Sequence, residues 1–189
     1  VVIYRYAKTP LTLPLISGMC QVLFGIACVF VAGIPRQSSL TANASAICSG
    51  MFLGLAVMIL MRVMYTKEVS RAIPVHQCAP IFSAFLALPI LGESISLIQW
   101  SGIMAAVIGS VFISLKIDPD ISGIFLDTSF YWLMLSAFFF GAAYVVGKVA
   151  LDELPILYTH GLRTFTLGST FLIFTSRSIA WNDTKSLIN

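Results

Sequence analysis

Long apolar stretches alternate with short polar breaks along the whole chain. Runs of about 20 apolar residues recur, and about 20 helical residues cross a hydrocarbon core of roughly 30 Å. The pattern predicts a helix tail over 1–7 and spans over 10–33, 41–65, 68–91, 96–116, 130–151 and 156–176, then a polar tail. The breaks between them are IPRQSSL (34–40), Thr66-Lys67, a turn around Glu93, the acidic stretch IDPDISGIFLDTS (117–129) and DELP (152–155). Pro10 and Pro14 fall near the first turns of their span, where a missing N–H is tolerated. Pro74, Pro80 and Pro89 all fall within 68–91. That span is expected to be kinked and protein-facing, because carbonyls freed by proline need partners in lipid. Gly50 and Gly54 have GxxxG spacing, which suits close helix packing either within the chain or across a homodimer.

Composition narrows the class. The 189 residues are 58% hydrophobic and only 10% charged, with a mean hydropathy of +0.95. A soluble domain carries about a quarter charged residues. The expected fold class is therefore an all-α integral membrane protein, a multi-span helical bundle. The formal net charge is +3, with basic residues at span ends, which gives no nucleic-acid surface. Cys20, Cys28, Cys48 and Cys78 all lie in apolar runs without metal-like spacing and read as small buried hydrophobes. Asn43-Ala44-Ser45 and Asn182-Asp183-Thr184 match a glycosylation pattern at a level chance explains. The chain opens on VVIYRYAK, without an initiator methionine or signal peptide, and reads as a fragment that begins at the end of a span.

A weak internal repeat lies at an offset of 143 residues (145 − 2 = 143): VIYRYAK at 2–8 aligns with VVGKVAL at 145–151. The register pairs Arg5 with Lys148, Ala7 with Ala150 and Gly18 with Gly161. Five helices separate equivalent points, so the two copies would cross the membrane in opposite senses. Inverted repeats of this kind are typical of secondary transporters, whose solute sites lie where the copies meet.

Residues 68–115, EVSRAIPVHQCAPIFSAFLALPILGESISLIQWSGIMAAVIGSVFISL, carry a more specific pattern. Pro80 comes early in one helix and Gly92-Glu93 ends it. A polar cap containing Ser96 follows, then Gln99, Trp100 and Gly102 open the next helix and Gly109 lies a heptad further on. This stretch resembles the fourth and fifth helices of the EamA family of the drug/metabolite transporter superfamily. Weaker similarity continues over 130–176, with an aromatic-rich span, Pro155, and Arg163 inside the next helix. The resemblance implies a ten-helix carrier of two inverted five-helix repeats around a cavity for a small organic solute. Residues 1–116 would form the first repeat, its first helix mostly missing, and 117–189 the start of the second. Two departures stand out: the turn 34–40 is less basic than the family's usual one, and Cys20 replaces an arginine common in the second helix.

Candidate chemistry sits in the spans. No HExxH, GxSxG, P-loop or GxGxxG motif occurs, so neither an enzyme nor a cofactor is expected. His76 and His160 alone make no metal site. Ionisable groups inside spans are costly and are functional candidates. Counted from the 152–155 turn, Lys148 and His160 lie at similar depth, as do Tyr144 and Arg163. Each pair shares a helix face by its i,i+4 or i,i+3 spacing, and facing each other they would form a cationic wall for an anionic or zwitterionic solute. The plainer alternative is that Lys148 snorkels and Arg163 braces helices. His76, Gln77 and Ser83 beside Pro80 suit either a cavity wall or interhelical hydrogen bonds, with Gln21 and Ser49 weaker candidates. The eight acids all lie near span ends, so proton coupling would need His76, His160 or a group elsewhere. Glu93 is expected to pin a hairpin: Gly92 ends one helix, and Ser96 with Gln99 forms a capping box for the next.

Orientation draws two opposed expectations. Arg5, Lys8, Arg62, Lys67, Arg71, Lys116, Arg177 and Lys185 fall on one side, against Arg36 and Lys148 on the other. The positive-inside rule places the first group in the cytoplasm, whereas the family's usual cytoplasmic termini place it outside. The expected protein is a multi-pass carrier in the cell membrane, partnered by the bilayer and a small organic solute. A sensor or scaffold subunit that does not transport is the alternative.

Overall fold

A computed structural model describes residues 12–35, 38–66, 75–117 and 128–175, with only the backbone described for 65–66 and 110–117. Six helices are defined among them: α1 (Thr12–Ala32), α2 (Leu40–Thr66), α3 (Ala79–Leu91), α4 (Leu97–Ile117), α5 (Thr128–Leu151) and α6 (Ile156–Thr175). The helix tail at 1–7, Arg36, Lys67, Glu68, Arg71, Pro74, the acidic stretch from Asp118 to Asp127, and the tail from Arg177 lie outside the described residues. So do the first copy of the repeat (2–8), the Asn182 pattern and the side chain of Lys116. The chain divides into two compact units, Val1–Gly54 with Val146–Asn189, and Leu55–Val145, so that α2 and α5 each contribute to both.

In the first unit, α1 and α6 pack antiparallel through glycines. A Cβ on Gly18 would lie 3.0 Å from the carbonyl oxygen of Gly168, and one on Gly25 would lie 2.8 Å from that of Gly161. Backbones this close exclude any larger residue, and such small-residue seams are how helices associate where lipid removes the hydrophobic drive. The seam sets the polarity of α1. Its small residues face protein, while Leu23, Phe24, Phe30 and Val31 are exposed on the surface a bilayer would cover. Helix α2 joins through Gly50 and Gly54, which lie against the Arg163 carbonyl, Thr166 and Thr170 of α6. The GxxxG pair is thus occupied within the chain.

Three helices among the described residues, α1, Leu40–Met64 of α2, and α5, are long and apolar enough to cross a membrane. The expected span at 156–176 forms as α6 but falls short on apolarity. Its hydroxyls are accommodated within the helix: Thr159, Thr164, Thr166, Ser169, Thr170 and Thr175 each donate to a carbonyl four residues back. Each of these hydroxyls is satisfied by a carbonyl four residues back. Thr159, Gly161, Gly168, Thr170 and Phe171 are buried, so the glycines and part of the hydroxyl set of α6 pack on protein, while His160 is exposed.

The second unit corrects the expectation of one continuous, kinked helix over 68–91. Val75 and His76 are helical, Gln77 and Cys78 form a turn, and α3 starts afresh at Ala79. The Cys78 N–H donates to the Val75 carbonyl at 3.2 Å, which closes the turn, and Pro80 occupies the first turn of α3, where its missing N–H breaks nothing. A break here costs less than a proline in mid-helix. Gly141 of α5 packs on α3, 2.9 Å from a Cβ position to the Ala79 carbonyl oxygen, and the Ser136 hydroxyl donates to the Ala56 carbonyl at 2.7 Å.

Helix α3 ends at Gly92, whose φ of 64° is left-handed, the conformation glycine adopts most easily. Ser96 and Gln99 then cap α4 reciprocally. The Ser96 N–H donates to Gln99 Oε1 at 2.8 Å, and the Gln99 N–H donates to Ser96 Oγ at 3.3 Å. Exposed Glu93 lies in the turn between these two helix ends. Trp100 meets Phe85 edge-on at 5.2 Å, which ties α4 back to α3. Gly102 and Gly109 have open space where a Cβ would stand.

These glycines separate by environment. Replacing Gly25 with valine should lower the thermal midpoint in detergent, at a cost of about 1–3 kcal/mol or more from overpacking. Gly102→Ala should leave the midpoint unchanged or raise it, because alanine is the better helix former and meets nothing.

Candidate functional site

The first unit encloses a cavity of about 70 Å³ lined by Ala46 and Ser49 of α2, Gly147 and Leu151 of α5, and Ile156, Thr159, His160 and Arg163 of α6. Helix spacing explains each contribution. Ala46 and Ser49 are three apart, Gly147 and Leu151 four apart, and 156, 159, 160 and 163 mark a single face of α6. Arg163 is the eighth residue of α6, about 10 Å along its axis at 1.5 Å per residue. Its side chain reaches towards α5: a Cβ on Gly147 would lie 3.6 Å from Arg163 Nη1 and 2.8 Å from Ser49 Oγ. Gly147 thus provides the space in which the guanidinium and the hydroxyl face each other.

The hydrogen-bonding character of the wall follows from its donors. Thr159 Oγ1 donates to the Pro155 carbonyl at 3.1 Å, which leaves its lone pairs for other donors. Ser49 is fully buried. Arg163 is half-buried, and His160 is exposed at the rim. Among the described residues, the lining contains Arg163 and His160 but no carboxylate.

Below the cavity, Ala42, Ala46, Ala150, Leu154 and Tyr158 form a buried apolar cluster. Beyond that, Ser39 caps α2: its Oγ accepts the Ala42 N–H at 3.1 Å and donates to a carboxylate oxygen of Glu153. The acid also stands near the positive end of the α2 dipole. Two turns, one before α2 and one before α6, are joined at this end of the cavity.

The expected cationic wall changes composition. His160 and Arg163 are brought together, but α5 presents Gly147 and Leu151 where Lys148 and Tyr144 were expected. Lys148 is one position round the helix, about 100° away, and is exposed. Tyr144 belongs to the second unit, is 51% exposed and packs on Phe140 at 5.1 Å. Sequence reasoning overlooked Thr159 and ranked Ser49 low. Gly147 was the available signal, because small residues let membrane helices approach closely, although Gly102 and Gly109 show that a glycine in an apolar helix need not be at a contact. Gln21 lies elsewhere on α1, with its Nε2 donating to Ser17 Oγ at 3.1 Å.

The other candidates lie in the second unit. His76 stacks edge-on against Phe140 at 4.9 Å, and its Nδ1 is buried without a hydrogen-bond partner. Gln77 is exposed in the turn before α3. Ser83 Oγ bonds the Ala79 carbonyl at 3.2 Å and the Gly141 carbonyl at 3.4 Å, so this hydroxyl ties α3 to α5. Pro80 and Gly92 bound α3, while Glu93, Ser96, Gln99, Gly102 and Gly109 serve the α3–α4 hairpin and the face of α4. Among the described residues, no group of histidine, cysteine or acidic side chains could hold a metal ion.

Apolar helices joined by glycine seams, with a charged cavity inside, define an integral membrane protein of the helical class. The chain belongs to the EamA-like transporter family, whose model matches residues 4–115. Neither a curated relative nor a solved structure matches it.

Ser39→Ala removes the α2 cap and the bond to Glu153. Unfolding in detergent should register a loss of about 1 kcal/mol, within the 0.5–2 kcal/mol range for such caps.

Proposed function

We propose that this chain is part of a secondary carrier that moves a small organic solute across a cell membrane by alternating access. The observation that carries the reading is the cavity at Arg163 within a chain of a transporter family. An arginine at the centre of a membrane span costs about 2.5–3.5 kcal/mol on insertion scales, and ionisable residues inside spans mark solute and ion pathways. Solute would enter between α2, α5 and α6, with Arg163 and His160 as its charged contacts and Ser49 and Thr159 as its hydroxyl contacts. His76 and Gln77, at a break between helices, are second candidates, because discontinuous helices recur at carrier sites.

The carrier would consist of two inverted repeats, the first over 1–116 and the second beginning at 117. The glycine seam supports this. On the 143-residue register Gly18 corresponds to Gly161 and Gly25 to Gly168 (161 − 18 = 143; 168 − 25 = 143). A two-fold operation therefore carries the contact of Gly18 with Gly168 onto that of Gly161 with Gly25, and both contacts occur. Reciprocal pairing of this kind is the signature of a two-fold interface. The same register pairs Arg163 with Cys20 (163 − 20 = 143), so the cationic wall belongs to the second repeat alone.

Counterflow of a labelled metabolite panel in proteoliposomes tests the reading. At least one solute should exchange, and Gly147→Val, which fills the space beside Ser49 and Arg163, should cut its flux about tenfold or more with the protein still folded. Specific binding or partner capture without flux of any solute would sink the carrier and leave a sensor or scaffold.

A further inference from the structure

We infer that the hydrogen bond between Ser39 and Glu153, backed by a plug of apolar side chains, is the gate that closes the cavity on the side of the 152–155 turn. This rests on reading the chain as a carrier and specifies how its cavity is shut at one end.

A single stripe of α2 carries the arrangement. Ser39, Ala42, Ala46 and Ser49 follow one another at spacings of three, four and three, which places them on one helix face. From Ser39 to Ser49 is about 15 Å along the axis at 1.5 Å per residue. Ser49 lines the cavity, Ala46 belongs both to the lining and to the buried apolar cluster, and Ala42 belongs to the cluster. Ser39 stands outermost and donates to the Glu153 carboxylate. The α5–α6 hairpin answers in the same order. Gly147 and Leu151 face the cavity, Ala150, Leu154 and Tyr158 fill the cluster, and Glu153 meets Ser39. A solute leaving along this stripe has to part first the plug and then the bond.

Both layers are weaker than the contacts that fix α2 further along. There Gly50 lies against the Arg163 carbonyl, and a Cβ on Gly54 would lie 2.8 Å from Thr170 Cβ, so close backbone approach pins this part of α2 to α6. Towards Ser39, α2 offers alanine methyls, which bury little apolar surface. The outer bond ends on exposed Glu153, so breaking it exchanges one hydrogen bond for another with water. Asn43 Nδ2 donates to the Ser39 carbonyl at 2.9 Å, while its Oδ1 is buried without a hydrogen-bond partner. A buried acceptor of this kind carries a cost that contact with water removes, which favours parting. The hairpin itself is tied together: the N–H groups of Asp152 and Leu154 donate to the carbonyls of Lys148 and Ala150 at 3.1 and 2.9 Å, and that of Thr159 to Pro155 at 3.0 Å. Opening therefore consists of the Ser39 end of α2 swinging away from the hairpin about the Gly50–Gly54 contact.

The test places the protein in liposomes, with its four native cysteines replaced. Ser49→Cys reports on the cavity, and exposed Asp152→Cys, in a separate sample, identifies the vesicle face that carries the turn. A membrane-impermeant maleimide applied to that face should label Ser49→Cys about tenfold or more faster when Glu153→Ala removes the bond. Glu153→Gln keeps an acceptor for Ser39 and should label close to the parent rate. Labelling from the opposite face should not rise in either. Both substitutions leave the Ser39 cap on α2 in place, so a change in labelling reports the bond and not a loss of helix. In a second arm, Ser39→Cys and Glu153→Cys are joined by a short reducible bis-thiosulfonate cross-linker. Counterflow of the metabolite panel should then stop, and reduction should restore it. Equal labelling of Glu153→Ala and its parent, equal effects of Glu153→Ala and Glu153→Gln, a matching rise on both faces, or counterflow that survives complete cross-linking overturns the gate. In those cases exchange continues and the carrier reading stands. Absence of exchange for every solute before cross-linking removes the carrier and the gate together.

Discussion

The first unit rests on one close contact, the antiparallel seam of Gly18, Gly25, Gly161 and Gly168 between α1 and α6. In lipid there is no hydrophobic gain from bringing two apolar helices together, so packing quality has to hold them. Glycine supplies it by letting main chains approach until carbonyl oxygens and Cα atoms touch. The seam fixes the depth and rotation of α6, and α6 carries Thr159, His160 and Arg163. A side chain larger than hydrogen at Gly25 or Gly168 would move the cationic wall with the helix. Gly50, Gly54 and Gly147 repeat the device where α2 and α5 approach, and Gly147 converts it into a cavity instead of a contact.

Helix α6 also shows how a polar sequence is kept helical among apolar neighbours. Its six serine and threonine hydroxyls bond to carbonyls four residues back and so present little unsatisfied polarity to their surroundings. Side-chain hydrogen bonds between membrane helices average only about 0.6 kcal/mol.

Much of this was legible in the sequence. The positions of five of the six described helices, and the end of α3, follow from where the apolar runs stop, because a chain in lipid must form helices between polar breaks. Gly92 and the Ser96–Gln99 box could be placed because caps are local chemistry, set by residues three apart. Facing was not legible. Lys148 and Gly147 differ by 100° on a helix that is apolar on all sides, and which of them meets α6 depends on packing that no local pattern encodes. The break at Gln77–Cys78 escaped for a related reason: Pro80 announces an interruption, but whether the chain kinks or restarts depends on what the freed groups find nearby.

The central claim is that the cavity beside Arg163 opens alternately to the two faces of the membrane. Accessibility of Ser49→Cys, in a variant whose four native cysteines Cys20, Cys28, Cys48 and Cys78 are replaced, tests it most directly. Ser49 lines the cavity and is fully buried, so it reacts only when a pathway opens. A membrane-impermeant maleimide should label it in both right-side-out and inside-out vesicles, with solute protecting it from either side. Labelling confined to one face, or indifferent to every solute that the protein exchanges, would contradict the account.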